Sequence, residues 1–465
     1  MANIVFIIHS GQGHYNTSYR TARRLQSLGN KIIYLDSTHD AKFKAEIEKQ
    51  GFEFAKLANV NFPVFNQAKG LKNNGFFGRK MSYLKNILQY FQDRELFVLK
   101  GEMYADFIES TKPDLIILDF NFIYDAIILA KYKIPIMMWS VFVSATRASN
   151  IPHFHFSFVP SDSFYSHFIS EMTWEVFNIY KKTNNWFYSV LGRFLPTNNG
   201  LSNELTRNYW LHKVANAQNF PLQKVADSRR PFWIGLNNYP ELISSPKDFD
   251  FPRCVKSNEH YIGHAIDFDR IREPMSNELN DFISDRKHKT LIYCSLGTQH
   301  QYNECFKFFC EVIKAFGNSE NYSVIMSVGS VIDIGKFESV PENIFIANNV
   351  PQLEVLEFTH VMLTHGGMSS VVECILSGVP MIVFPTAVDQ PGNAARVIYH
   401  GLGLKGDVRK DKANVIRTKV EQILTTKSFK EKILQMREKI SQSNDFEKGI
   451  DLINSQIFHR EKQYI

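Results

Sequence analysis

The chain has no cysteines spaced for a metal or a redox bridge. Its five, Cys254, Cys294, Cys305, Cys310 and Cys374, form no CxxC pair and no His/Cys cluster. That excludes a zinc ribbon or a disulfide framework, and reduced, mostly buried thiols in a cytoplasmic protein are expected. No segment approaches the ~20 apolar residues of a membrane span. The apolar run after Met1 has no basic start or cleavage site, and Gly11-Gln12-Gly13 interrupts it, so no signal peptide is expected. Basic blocks are missing too. A net charge of +6 over 465 residues gives no reason to expect nucleic acid and mildly favours anionic ligands. There is no low-complexity tract and no short repeat. Only aromatics are in excess, at 14% with 39 Phe.

The most informative stretch runs from Val350 to Gln390. A short apolar run, Val361 to Leu363, reads as a buried strand. Gly366 and Gly367 permit a tight turn and close approach of a ligand to the main chain. Ser369 and Ser370 open a helix to about Ser377, which Gly378 and Pro380 stop. Free amides at that N-terminus suit an anion such as pyrophosphate, and His365 at the strand end can donate to a phosphate oxygen. Glu373 shares the helix face of the two serines, where a carboxylate can accept two bonds from a ribose diol. Asp389-Gln390 ends the next strand-and-loop segment. Diphosphate, ribose and a sugar together describe a nucleotide-sugar.

These residues resemble the donor-binding signature of the inverting UDP-glycosyltransferases, in their bacterial, macrolide-glycosyltransferase-like form. The match takes in Pro351, Gln352, His365, Gly367, Ser370, Glu373, Gly378, Pro380, Pro385, Asp389 and Gln390, in order. So many fixed spacings are far more specific than a lone glycine motif. The resemblance implies His365 and Ser370 on the diphosphate, Glu373 on the ribose, and Asp389 and Gln390 on the sugar hydroxyls. Val350, Met368 and Ser369, within the same stretch, join the expected donor set. Plant members carry Trp where this chain has Asn349, so both uridine and thymidine nucleotides fit.

At the other end, Ile4 to His9 reads as a first strand and Gly11-Gln12-Gly13-His14 as the turn after it. A helix pattern follows, then a strand from Lys31 to Leu35. Gly11, Gly13 and Asp36 supply part of a dinucleotide fingerprint, but Asn16 holds the place of its third glycine. In the resembling family Gly-His after the first strand carries the catalytic base. That makes His14 the candidate base beside Gly13, with Thr17 where relatives usually have proline. Asp119, ending the strand from Asp114 to Leu118, is the family's candidate for holding that histidine. Helix capping is the plainer reading of each. Asp125 is the rival carboxylate.

The stretch between Asn150 and Gly235 is crowded with aromatics, among them Phe154, Phe164, Phe168, Trp174, Phe177 and Tyr180. They suit either a helical core or an apolar acceptor cleft. Phe76-Phe77 among lysines and arginines suits a solvated loop or peripheral contact with a membrane surface. Two Asp-Phe-Asp triplets, at Asp248 and Asp267, read as chance rather than as metal sites. Ser295, Gly297 and Thr298, after a strand from Leu291, resemble the family's turn beside the diphosphate.

The expectation is an α/β chain of two Rossmann-like domains facing a cleft, the GT-B architecture. Residues 1–250 would bind acceptor, 251–289 link, 290–440 bind donor, and 441–465 form a helix packed back on the first domain. The implied activity is hexosyl transfer from a UDP- or TDP-sugar to a hydroxyl of a small lipophilic acceptor, with no metal or cofactor. A nucleotide-sugar epimerase or hydrolase on the same frame, or a non-catalytic binding protein, is the alternative.

Overall fold

The computed structural model describes residues 1–36, 43–57, 101–191, 204–227, 235–297 and 302–458. Two parallel sheets dominate them. The first contains β1 (Asn3–Ile7), β2 (Lys31–Asp36), β3 (Glu53–Lys56), β4 (Leu115–Asp119) and β5 (Ile136–Ser140). A short antiparallel pair, β6 (Ala226–Asp227) and β7 (Gly235–Leu236), stands apart. β8 (Glu241–Ile243) and β9 (Glu259–Tyr261) complete the first sheet, in the order β3-β2-β1-β4-β5-β8-β9. The second sheet holds β10 (Thr290–Ser295), β11 (Tyr322–Ser327), β12 (Ile344–Ala347), β13 (Val361–Thr364), β14 (Met381–Val383) and β15 (Gly403–Lys405). Its order is β12-β11-β10-β13-β14-β15.

Runs such as Leu-Ile-Ile-Leu-Asp in β4 and Ile-Met-Met-Trp-Ser in β5 are buried along their whole length. Helices on both faces of a parallel sheet require that continuous apolar pattern. In each sheet the strand order reverses once, between β1 and β4 and between β10 and β13. The connections leave in opposite directions there, so a crevice opens at the strands' carboxyl ends. His14 and Asp119 lie at the first crevice, and Ser295 and His365 at the second.

The stretch between the sheets is not a plain tether. β9, within it, is an outermost strand of the first sheet, whereas Leu279 and Phe282 of the helix Asn277–Asp285 are buried in the second lobe's core. The helix Asp445–Phe458 returns to the first lobe, where Ile450 and Ile453 join the cluster of Ile4, Phe6 and Trp139.

A buried ion network pins the lobes together. Arg396, on the helix Gln390–Tyr399, donates to Asp250 Oδ1 at 2.6 Å, and both side chains are almost wholly enclosed. Arg253 stands 3.7 Å from the other carboxylate oxygen, which also accepts from the Tyr261 hydroxyl. Nearby, the Gly392 amide donates to the Phe154 carbonyl at 2.7 Å. A Cβ at Gly392 would lie 2.6 Å from that oxygen, so only glycine allows the approach. Among the described residues no helix is long and apolar enough to cross a membrane.

Candidate active site

The first-lobe corner is built by a short excursion of the main chain. After β1 the Gly11 amide donates to the His9 carbonyl at 2.7 Å, and Gly11 then starts the helix Gln12–Ser27. His14 falls in the first turn of that helix. Its Nδ1 lies 2.6 Å from Asp119 Oδ2, with the histidine 19% exposed and the aspartate fully buried. Asp119 Oδ1 accepts from the amide and the side chain of Asn121, at 3.0 and 2.9 Å. The aspartate therefore accepts a hydrogen bond from Nδ1–H, which selects the tautomer whose Nε2 is an acceptor.

Three neighbours refine this corner. A Cβ at Gly13 would meet nothing within 4 Å, so open space lies beside His14. Thr17 donates its hydroxyl to the His14 carbonyl at 2.8 Å, anchoring the helix start where relatives place proline. Asp125 instead accepts from Tyr104 at 2.7 Å inside the first core and takes no part. His9 stands with its ring centroid 5.0 Å from that of His14. Burial, and then the charge of His14, lower the His9 pKa against the pull of Asp119.

The second-lobe corner is held by sterics. The His365 ring lies between Gly297 and Gly367; a Cβ at either would come within 2.6 Å of an imidazole atom. Gly366 takes φ +84°, and a Cβ there would meet Val383 Cγ1 at 2.4 Å. The helix Met368–Ser377 then starts from Gly367 with no side-chain cap. The first amides, of Met368, Ser369 and Ser370, are thus left for a ligand, with the helix dipole behind them. Gly378, at φ +68°, ends the helix in the left-handed conformation. Ser295 sits opposite Thr364 in the β10–β13 register, directly beside this turn. Thr298 lies outside the described residues. Val350 is half-buried against the second core, and Asn349 before it is exposed.

Glu373 is buried one turn along the same helix. Gln352 donates to its Oε2 and, at 3.2 Å, to Ser370 Oγ, while Arg270 Nη2 lies 3.3 Å from Oε1. Burial pushes the Glu373 carboxyl up, and Arg270 pulls it back down. Asp389 is also buried, accepting from Asn393 at 2.7 Å; the same amide donates to the Gly366 carbonyl at 2.9 Å. Burial raises Asp389 to about 6 against the pull of Asn393 and of His14 across the cleft. Gln390 spends its carbonyl oxygen on Thr386 and Ala387, so its NH2 group is what it can offer a ligand.

The structure thus gathers the sequence candidates into two corners, apart from Thr298. Sequence reasoning missed Asn393, Arg270 and His9. Asn393 stands one helical turn after Asp389, a spacing that could have exposed it. Arg270 and His9 carry no motif. The Asp-Phe-Asp triplets are ion-pair anchors: Asp250 holds Arg396, Asp248 meets Lys439 at 2.7 Å, and Asp267 meets Arg23 at 3.1 Å. The aromatics divide. Trp174 and Phe177 are buried against His153, whereas Phe164, Phe168 and Tyr180 stand exposed on the helix Phe164–Leu191. Phe76 and Phe77 lie outside the described residues.

The UDP-glucosyltransferase YdhE of Bacillus subtilis (strain 168), itself uncharacterized, is 34% identical over 192 residues, covering 41% of this chain and 47% of that protein. The chain therefore spans about half the length of that relative. YojK of the same organism, also an uncharacterized UDP-glucosyltransferase, is 23% identical over 463 residues, 97% of each chain. The crystal structure of the glycotransferase of kitacinnamycin shares the fold, with a TM-score of 0.63 at 18% identity over 98% of both chains. With that two-sheet GT-B frame, and a family model matched across residues 20–443, the chain belongs to the UDP-glucoronosyl and UDP-glucosyl transferase family.

Proposed function

We propose that the protein transfers a hexose, with inversion, from a UDP- or TDP-linked donor to a hydroxyl of a small lipophilic acceptor. The observation that supports this reading is the 2.6 Å contact of His14 Nδ1 with Asp119, which leaves Nε2 as the acceptor nitrogen. His14 takes the acceptor proton as the acceptor oxygen bonds to the anomeric carbon. The bond from that carbon to the diphosphate oxygen breaks on the opposite face, and its electrons leave with the diphosphate. Asp119 stabilises the imidazolium, and positive charge builds on an oxocarbenium-like sugar.

On the other lobe, the uncapped amides of Met368 to Ser370, the Ser370 hydroxyl and His365 receive the leaving group's charge. Those fixed donors would do this without a metal ion. Glu373 takes the ribose, and Asp389 with the NH2 of Gln390 takes sugar hydroxyls. The exposed aromatics of the Phe164–Leu191 helix support a greasy acceptor.

A thermal-shift panel of UDP, TDP and their sugars, followed by acceptor screening with the best donor, tests the proposal. Stabilisation by a nucleoside diphosphate and acceptor-dependent release of it are expected. Sugar release without an acceptor would make it a hydrolase or epimerase, and no nucleotide response at all would refute donor binding.

A further inference from the structure

Arg270 belongs to neither sheet, yet it reaches the donor corner. The segment carrying it is tied to both lobes. On the first lobe, Asp267 pairs with Arg23, and Gln50 exchanges two hydrogen bonds with the main chain of Ile271, at 2.9 and 2.7 Å. On the second, Arg272 meets Glu354 at 3.0 Å and Arg270 meets Glu373. The guanidinium is thus held in place by its own backbone rather than resting on the surface, with its side chain only 12% exposed. Its Nη1 is buried and has no hydrogen-bond partner among the described residues.

The hydrogen-bond inventory around Glu373 points to what is missing. An ionised carboxylate accepts about four hydrogen bonds, roughly two at each oxygen. Arg270 uses one position on Oε1 and Gln352 one on Oε2. Among the described residues one position stays open on each oxygen, matching the two O–H donors of a vicinal diol. Arg270 Nη1, on the guanidinium whose Nη2 meets Glu373, can donate to the hydroxyl oxygens that the carboxylate holds by their protons. Gln352 is itself oriented by the Tyr293 hydroxyl, at 3.2 Å, so the acceptor side of the grip is fixed as well.

We propose that Arg270 is a specificity-determining residue that, with Glu373, grips both hydroxyls of the donor ribose, so that the protein prefers ribonucleoside diphosphates over their 2′-deoxy counterparts. This rests on the assignment of Glu373 to the ribose made above. A 2′-deoxy donor would leave one carboxylate position and a guanidinium N–H buried without partners, which is how a polar pocket rejects a ligand lacking a hydroxyl. Burial raises the Glu373 carboxyl, and the Arg270 charge offsets part of that rise. The other charged or titratable groups around that carboxylate are Arg272, itself paired with Glu354, Tyr293, and Cys374 next in the chain.

The test is calorimetric titration of the full-length protein with UDP and with 2′-deoxy-UDP, which differ only at the 2′ position. Wild type, Arg270→Gln and Arg270→Lys are compared near neutral pH and in mild acid, after thermal melts establish that each variant is folded. Wild type is expected to bind UDP at least ~10-fold tighter than its deoxy analogue. Arg270→Gln should weaken UDP binding and drive that ratio towards one, and its UDP affinity should fall further in acid as Glu373 takes a proton. Arg270→Lys, keeping the charge, should show the wild-type pH response, and it carries the test if the glutamine variant does not fold. An unchanged UDP to deoxy-UDP ratio in Arg270→Gln would overturn the inference, as would tighter UDP binding, because Arg270 would then be a plug. Both outcomes leave donor binding intact. Wild type that binds neither nucleotide would instead overturn the reading beneath it.

Discussion

The two corners hold a histidine each, and they hold it by different means. His14 is steered by a hydrogen bond to a buried aspartate, in a turn where Gly13 leaves open space beside it. His365 is wedged between Gly297 and Gly367, which leave no room for a methyl group. A histidine that must gain and lose a proton needs a partner that sets its tautomer and welcomes the charge. One that only presents a donor to a phosphate needs a fixed position, and close packing supplies that. On the proposed function, the same strand-glycine-helix architecture serves two chemistries, and the means of support distinguishes them.

The largest effect is expected on neither corner but on the pin that keeps them facing. Asp250→Ala would leave Arg396 and Arg253 buried without their carboxylate, costing roughly 3–5 kcal/mol of stability, to be measured by chemical denaturation. If the variant melted like wild type, the lobes would be held by other contacts. His14→Ala should cut the transfer rate at least ~10²-fold while nucleotide affinity holds, as turnover and calorimetry would show. A matching loss of UDP affinity would break the division of labour between the corners.

Gly367→Ala is the converse probe. Its Cβ would lie 2.6 Å from His365 Nε2, and overpacking of this kind costs ~1–3 kcal/mol. Nucleotide affinity should fall more than the turnover rate at saturating donor. Asp389 gives the smallest effect. Burial raises its carboxyl from the ordinary 3.8 to about 6, so the folded protein holds that proton more tightly than the unfolded chain. Its contribution to stability therefore declines as pH rises from 3.8 to about 6. Its contact with sugar hydroxyls should weaken severalfold as pH falls from about 8 to about 5, seen as a rise in the KM of the nucleotide-sugar but not in the Kd of UDP. Asp389→Asn should flatten that profile.

Much of this was legible before any coordinates. Buried strands announce themselves as unbroken apolar runs, and positions such as Gly366 and Gly378 announce turns that only glycine accepts cheaply. The donor corner was readable because its residues lie within a single stretch whose spacing a strand, a turn and a helix fix locally. The edges of the region between the domains were less legible. β9 pairs only with β8, another three-residue strand, and three residues carry no period by which to recognise either. Arg270 escaped for another reason: its partner Glu373 lies 103 positions away and shows only when the segments meet.

The sequence alone determined the secondary structure around both corners, the glycines that shape them and the kinds of side chain available for chemistry. These follow from torsional limits and from periodicity within a few residues of chain. Only the tertiary structure decided that Asp119, and not Asp125, faces His14 across 105 positions. It alone set Arg270 against Glu373, and left Gln390 with one half of its amide to offer. Hydrogen bonding is short-ranged and directional, so a group's role depends on which distant partner the packed sheets bring within 3 Å or so of it.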